Sequence, residues 1–498
     1  MITCGIDNGT QSTKVMIYDS TQKEVLSLTS SKHNLISKED GSREQLASWW
    51  IDALVDCFNQ IPTEIKKKIQ AVGVSGQQHG FVPVDEDGNV LCPVKLWCDT
   101  STTAECEELN LALGGIDGAI EKTGNEIKPG YTASKVLWFK KNCPDLYKKM
   151  KWIMLPHDYL NFVLTGQPSM EHGDASGTAF FDVKKRVWSK EVLQAIDGER
   201  DLEQSLPPLL EEGQSVGSVS PAASALFGIP IGVPVSTGGG DNMMGAIGTG
   251  TVSEGDLTMS MGTSGTLYGA SQTPIIDKKN RLAAFCSSCG GWLPLLCTMN
   301  CTVSSETTRS LFGRNISEFN EIAEKAPIGA DGCYMLPYFN GERTPNYPNG
   351  KGCLFGFTLT NMTEQNISRA AMEASVFAMK YGLDAFLELG IRPKTIKLIG
   401  GGAKSSFWRQ MVADVMGISV TLPEKEESAA FGAALQALYL LEKQKGTVRS
   451  IDEITSIHVK MQEGKSCTPN KEAHEKYLTV YQNWLKYVVC VSPVFCPQ

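Results

Sequence analysis

Ile6-Asp7-Asn8-Gly9-Thr10-Gln11-Ser12-Thr13, near the start, and Ser260-Met261-Gly262-Thr263-Ser264-Gly265-Thr266, near the middle, decide how this chain is read. Each carries Gly-Thr-x-x-Thr between two strand-like runs. Gly9 and Gly262 stand about half of the 498 residues apart. A weaker echo pairs AVGVSGQQ at 71–78 with IKLIGGGA at 396–403, each a strand that ends in a glycine turn. Self-similarity at this spacing signals a duplicated unit. Around it, apolar runs ending in glycine (72–75, 233–236, 395–399) alternate with segments of helical periodicity (405–416, 428–441). That alternation is the mark of α/β architecture. A chain of this length exceeds one compact core. Two related α/β halves with a cleft between them are expected.

Composition narrows the function. Hydrophobic residues are 42% and charged residues 20% of the chain, and the net charge is −9. Nucleic-acid binding is not expected, because it needs basic patches that displace counterions. An anionic nucleotide is still acceptable, since backbone N–H groups supply a local positive field. No basic segment followed by an apolar run opens the chain, and no apolar stretch is of membrane-spanning length. The expectation is a cytoplasmic protein with no membrane partner. Fifteen scattered cysteines then read as free thiols. Cys286, Cys289, Cys297 and Cys301 begin as Cys-x-x-Cys, a zinc-like spacing. The second pair is Cys-x-x-x-Cys, and GGWLPLLC between them reads as a strand hairpin. Buried thiols acting as small hydrophobes are the better account.

Both Gly-Thr-x-x-Thr hairpins look like phosphate loops. Glycine permits close backbone approach and positive φ. Successive N–H groups form an anion nest, and Thr and Ser hydroxyls add donors. One such hairpin alone reads as a plain β-turn; two of them can grip one polyphosphate from opposite sides. Other nucleotide motifs fail. Gly464-Lys465-Ser466 ends like a Walker A loop, but position 459 is Val. Gly400-Gly401-Gly402 meets Ser405 where a dinucleotide fingerprint needs glycine.

Ser236-Thr237-Gly238-Gly239-Gly240-Asp241-Asn242 places an acid after a strand and a glycine turn. Phosphoryl transfer to an alcohol uses a carboxylate that accepts the hydroxyl proton. Asp241 fits that role, and it also fits the start of the following helix. Gln78 and His79, in Ser75-Gly76-Gln77-Gln78-His79-Gly80, offer donors and acceptors to sugar hydroxyls. Asp7 is placed to hold Mg²⁺ through water. The glycines at 400–402 suit flat contact with a base, or a plain βα turn.

At this point the residues resemble the FGGY carbohydrate kinases. GIDNGTQSTK at 5–14 is similar to the family's first phosphate loop, and SGQQHG at 75–80 to its sugar signature. GYTASKVLWFKKN at 130–142 and GCLFGFTLTNMTEQNISRAAMEAS at 352–375 resemble its two long signatures. LWCDTSTTAEC at 96–106, LPHDYLNFVLTG at 155–166 and LPYFNGERTP at 336–345 are also family-like. GGGDNMMGAIGTG at 238–250 resembles the segment with the catalytic acid, and GGGAKSSFWRQMVADV at 400–415 the adenosine motif. At 297–309, CTMNCTVSSETTR stands where relatives carry a small-residue turn near the nucleotide.

The resemblance implies an actin-like ATPase fold: two ribonuclease-H-like domains, about 1–242 and 243–498, with the active site between them. It implies Asp241 as catalytic base, with Gln78, His79, Asp241 and Asn242 lining the sugar. Thr10, Gln11, Ser12, Gly262 and Thr263 would hold ATP phosphates, and Gly401 and Ser405 would lie against adenosine. The substrates implied are Mg·ATP and D-xylulose, with ribulose, another ketose or a polyol as alternatives. A non-kinase ATPase of the same fold is the rival from another class. The last helix, around 471–488, is expected to return toward the first domain. The sequence leaves the oligomeric state open, a homodimer included.

Overall fold

The computed structural model describes residues 1–447 and 449–496. Two open mixed sheets form its framework, and they repeat one topology. In the first, the spatial order is Ser215–Ser218, Pro234–Ser236, Ala71–Gly76, Ile2–Asn8, Ser12–Asp19, Glu24–Lys32. In the second it is Ser419–Thr421, Thr395–Ile399, Asp256–Met261, Gly265–Gly269, Leu295–Thr298. Each half starts with a hairpin whose first strand then pairs in parallel with a later strand. Ile2–Asn8 pairs with Ala71–Gly76, and Asp256–Met261 with Thr395–Ile399. The two glycine-ended strands echoed in sequence therefore occupy equivalent places.

The strands follow from their residues. Ala71–Gly76 is buried on both faces, as a central parallel strand must be. Parallel pairing needs crossovers that bring helices onto the sheet faces. A further covering helix, Ser428–Gln444, follows the last strand, and its sequence SAAFGAALQALYLLEKQ is apolar or small almost all round. It comes from the second half of the chain but lies on the first sheet, against Ile2–Asn8 and Ala71–Gly76. Gly5 and Gly73 make this possible. A Cβ at Gly5 would come within 1.9 Å of the Ala430 carbonyl oxygen, and one at Gly73 within 2.1 Å of the Ala433 carbonyl oxygen. The same helix packs on Asp241–Thr249, the helix that begins with the candidate acid.

The last helix runs Lys471–Phe495 and stays with the second half, a correction to the expected return. Tyr477, Tyr481, Trp484 and Val488 join the core of the second sheet. Trp484 Nε1 donates to the Met335 carbonyl at 2.8 Å. An apolar stripe at helical spacing follows the nearest matching core, and the second half supplies it. Among the described residues no helix is long and apolar enough to cross a membrane.

Candidate active site

Asp241 opens the helix Asp241–Thr249, where a carboxylate is favoured by the helix dipole. The glycines before it do the placing. Gly239 and Gly240 pair with Ser75 and Gly76, at the end of the central strand. Gly238 turns the chain at φ 73°, and a Cβ there would meet the Val74 carbonyl oxygen at 2.5 Å. The acid, the amide segment at 77–78 and Asp7 are thereby gathered at one sheet end.

A polar chain holds the acid. Asn242 Nδ2 donates to Asp241 Oδ1 at 3.0 Å and to Gln78 Oε1 at 2.8 Å. The Asn242 backbone N–H donates to the same Asp241 oxygen at 2.8 Å. Oδ1 is thus occupied, and Oδ2 is left for another proton donor. Burial pushes the Asp241 carboxyl up to about 7, and the nearby carboxylates of Asp7 and Asp174 add to the effect. Burial likewise lifts Asp7 to about 6, although Ser75 Oγ donates to its Oδ1 at 2.8 Å. Two crowded carboxylates with oxygen-only donors suit a hard cation reached through water, so the residues fit Mg²⁺.

Beside them lies a cavity of about 240 Å³. Gln78, His79, Tyr131 and Asp241 line it from the first half, and Ser264, Phe285 and Arg343 from the second. His79 is buried and stands edge-on to Tyr131, with ring centres 5.1 Å apart. Burial, with the cations of Lys135 and Arg343 nearby, holds its imidazole well below the usual range. A neutral ring both donates and accepts, which matches a polyol hydroxyl.

The hairpins flank this cavity. Thr10 Oγ1 accepts from Trp97 Nε1 at 2.9 Å, and Trp97 lines the cavity; Gln11 is exposed and Ser12 half-buried. On the other side Ser260, Ser264 and Thr266 line it, while Gly262 and Thr263, in the same hairpin, are not part of its wall. The expected positive φ is absent at both glycines, a correction. A Cβ at Gly9 or Gly262 would meet nothing nearer than 3.4 Å, the carbonyl of Ser12 or Ser264. What glycine leaves is open space before the loop. The turns also differ by one residue. Asn8 faces Thr13 in the first, and Met261 faces Gly265 in the second. The unusual segment at 297–309 braces the second loop: Cys301 N–H donates to the Thr263 carbonyl and Thr302 N–H to the Gly262 carbonyl, at 2.9 and 3.0 Å.

Two models of the FGGY family of carbohydrate kinases match, the N-terminal domain over residues 2–248 and the C-terminal domain over 257–441. The chain belongs to the FGGY family of carbohydrate kinases. It is 45% identical to the xylulose kinase of Haemophilus influenzae, over 97% of this chain and 99% of that one. It is 34% identical to the xylulose kinase of Streptomyces coelicolor, over 88% and 87%. The crystal structure of a "xyloylose kinase" from Brucella ovis superposes with a TM-score of 0.90 at 26% identity, covering 99% of this chain and 100% of that one. The repeated sheet order is the actin-like pair of ribonuclease-H-like domains that the FGGY resemblance implied.

A second cavity lies at the end of Thr395–Ile399, with Gly400, Gly401, Pro423 and Glu427 in its wall. Gly401 meets nothing within 4 Å of a built Cβ, so its face is open. Ser405 does not line this cavity. Its side chain caps the next helix, accepting from the Trp408 N–H at 3.2 Å. The cap takes one acceptor site of its hydroxyl. The cysteine cluster is dispersed. Cys286 packs with Phe181 and Val183, Cys301 sits in the second core, and Cys297 lines the first cavity. Among the described residues, no metal-binding group of three or more His, Cys, Asp or Glu forms. The cavity residues not anticipated from sequence include Trp97, Tyr131 and Arg343. Each sits in a quoted motif, but only folding turns it toward Asp241.

Proposed function

We propose that this chain transfers the γ-phosphoryl group of ATP to D-xylulose, giving D-xylulose 5-phosphate and ADP. The observation that carries the reading is the carboxylate of Asp241, held by Asn242 and Gln78 at the wall of a cavity flanked by both hairpins. The choice of xylulose rests on relatives that carry that name. On this reading the domains are 1–242 and 243–498, and the cytoplasm, where ATP is abundant, is the site of action.

In the mechanism, Gln78, His79 and Asn242 orient the sugar, and Asp241 Oδ2 takes the proton of the attacking hydroxyl. Thr10, Gln11, Ser12, Gly262 and Thr263 hold the phosphates, while Gly401 faces the adenosine. Mg²⁺, held through water by Asp7, would neutralise phosphate charge. The remaining work is in-line positioning and preorganised electrostatics.

ADP release measured over a panel of D-xylulose, D-ribulose, other ketoses, glycerol and no sugar tests this. The highest kcat/KM is expected for D-xylulose. A higher value for another acceptor overturns the sugar; no stimulation by any acceptor overturns the kinase.

The pH profile is a second test. The base must be ionised, and Asp241 sits at about 7. Below that pH, kcat/KM for the sugar should fall about tenfold per unit in the free enzyme. A profile flat from pH 5 to 8 would remove Asp241 from the role of base.

A further inference from the structure

We infer that Lys135 is a positioning residue for the sugar site: its buried ammonium clamps the backbone at His79 and Gly130, and so sets how His79 and Tyr131 meet the acceptor.

Lys135 is 0% exposed. It lies in the first turn of the helix Thr132–Asn142, where the helix dipole disfavours a cation. Among the described residues no carboxylate pairs with it at salt-bridge distance, although Lys95 nearby binds both Glu44 and Asp99. A buried ammonium without a paired anion is costly, and burial lowers Lys135 to about 7, where the neutral amine still donates. Its partners are two carbonyl oxygens: Nζ donates to His79 O and to Gly130 O, each at 2.8 Å.

Both carbonyls belong to cavity segments. His79 is a non-glycine residue at φ 63°, a conformation that persists only where its surroundings enforce it. Thr132 Oγ1 also donates to the His79 carbonyl, at 3.2 Å. On the ring side, a Cβ at Gly177 would lie 2.1 Å from the imidazole, so Gly177 leaves room for one ring position. The Gly130 carbonyl precedes Tyr131, which lines the cavity and stands edge-on to His79. One ammonium therefore ties together the two segments that present these rings. Lys135 itself is absent from the cavity wall, so it acts through them.

This rests on the reading of His79 as a sugar contact, and a double-mutant cycle separates the two. His79→Ala, Lys135→Met and the double variant are compared for acceptor KM, ATP KM and kcat, using the best acceptor of the panel. Each single variant should raise acceptor KM about tenfold and leave ATP KM within about twofold. The double variant should match His79→Ala within about twofold, because residues acting as one unit are not additive. Additive effects, or an unchanged acceptor KM in Lys135→Met, overturn the positioning role while the His79 reading stands. An unchanged KM in His79→Ala sinks both. If Lys135→Met does not fold, Thr132→Val decides. It removes the longer bond to the same carbonyl and should raise acceptor KM about threefold, without effect in a His79→Ala background; an unchanged KM there overturns the role.

Discussion

Asp241→Asn is expected to turn over roughly 10²–10⁴-fold more slowly than the native chain, while still folding and binding ATP. The amide is isosteric, so the helix start and the contact with Asn242 persist in shape. What disappears is a group able to take the hydroxyl proton. A linked effect on stability has a definite sign. The folded Asp241 carboxyl is raised to about 7, above the ordinary carboxylate range, so its protonated form is favoured by the fold. That stabilisation is full below the unfolded pKa and is lost as pH rises through about 7. The asparagine variant lacks this loss, and should melt higher than the native chain by a wider margin at pH 8 than at pH 5, where the loss has only begun. Steady-state kinetics and thermal denaturation at the two pH values read both effects. A kcat within tenfold of the native value would end the assignment of Asp241 as base.

Gly432→Ala should cost about 1–3 kcal/mol of stability and lower kcat/KM by about 10²-fold. Gly432 lies in Ser428–Gln444 where it crosses Asp241–Thr249. A Cβ there would fall 1.8 Å from the Met244 carbonyl oxygen and 2.8 Å from the Gly248 nitrogen. These are backbone atoms of a helix, so no side chain can swing aside. The crossing is closely matched from the other side, where a Cβ at Gly248 would lie 1.8 Å from the Ser428 carbonyl oxygen. The two helices must separate to admit the methyl group, and the moving helix carries Asp241 at its first position. A displacement near 1 Å at a reacting group is enough for a hundredfold loss. Denaturant unfolding and kinetics of Gly432→Ala are the measurement. Native stability together with native kcat/KM would show that the crossing does not hold the acid in place.

Most of the fold was legible because its signals are local. The Gly-Thr-x-x-Thr repeat and the glycine-ended strands recur at half-chain spacing, and the structure has the same strand order around both. Asp241 was legible for a similar reason: strand, glycine turn and acid are contiguous in the chain. The helix from Ser428 was legible as a helix, but not as a cover for the first sheet. Nothing near 428–444 reveals that its backbone needs Gly5 and Gly73, which are more than 350 residues away. The placement of the last helix is not legible for the same cause, since its apolar face could serve either core.

Residue types, spacing and the repeat by themselves determined two α/β halves, a glycine hairpin in each and an acid at a strand end. Those properties depend on covalent neighbours and backbone sterics, which the chain carries wherever it folds. Tertiary structure alone decided that Trp97, Tyr131 and Arg343 share a wall with Asp241, and that Ser405 spends its hydroxyl on a helix cap. It also decided that Lys135 reaches the carbonyl of His79. Direction and burial are set by packing between segments distant in sequence, and so is the carboxyl of Asp241 near 7, which comes from burial and from Asp7 and Asp174 brought close by the fold.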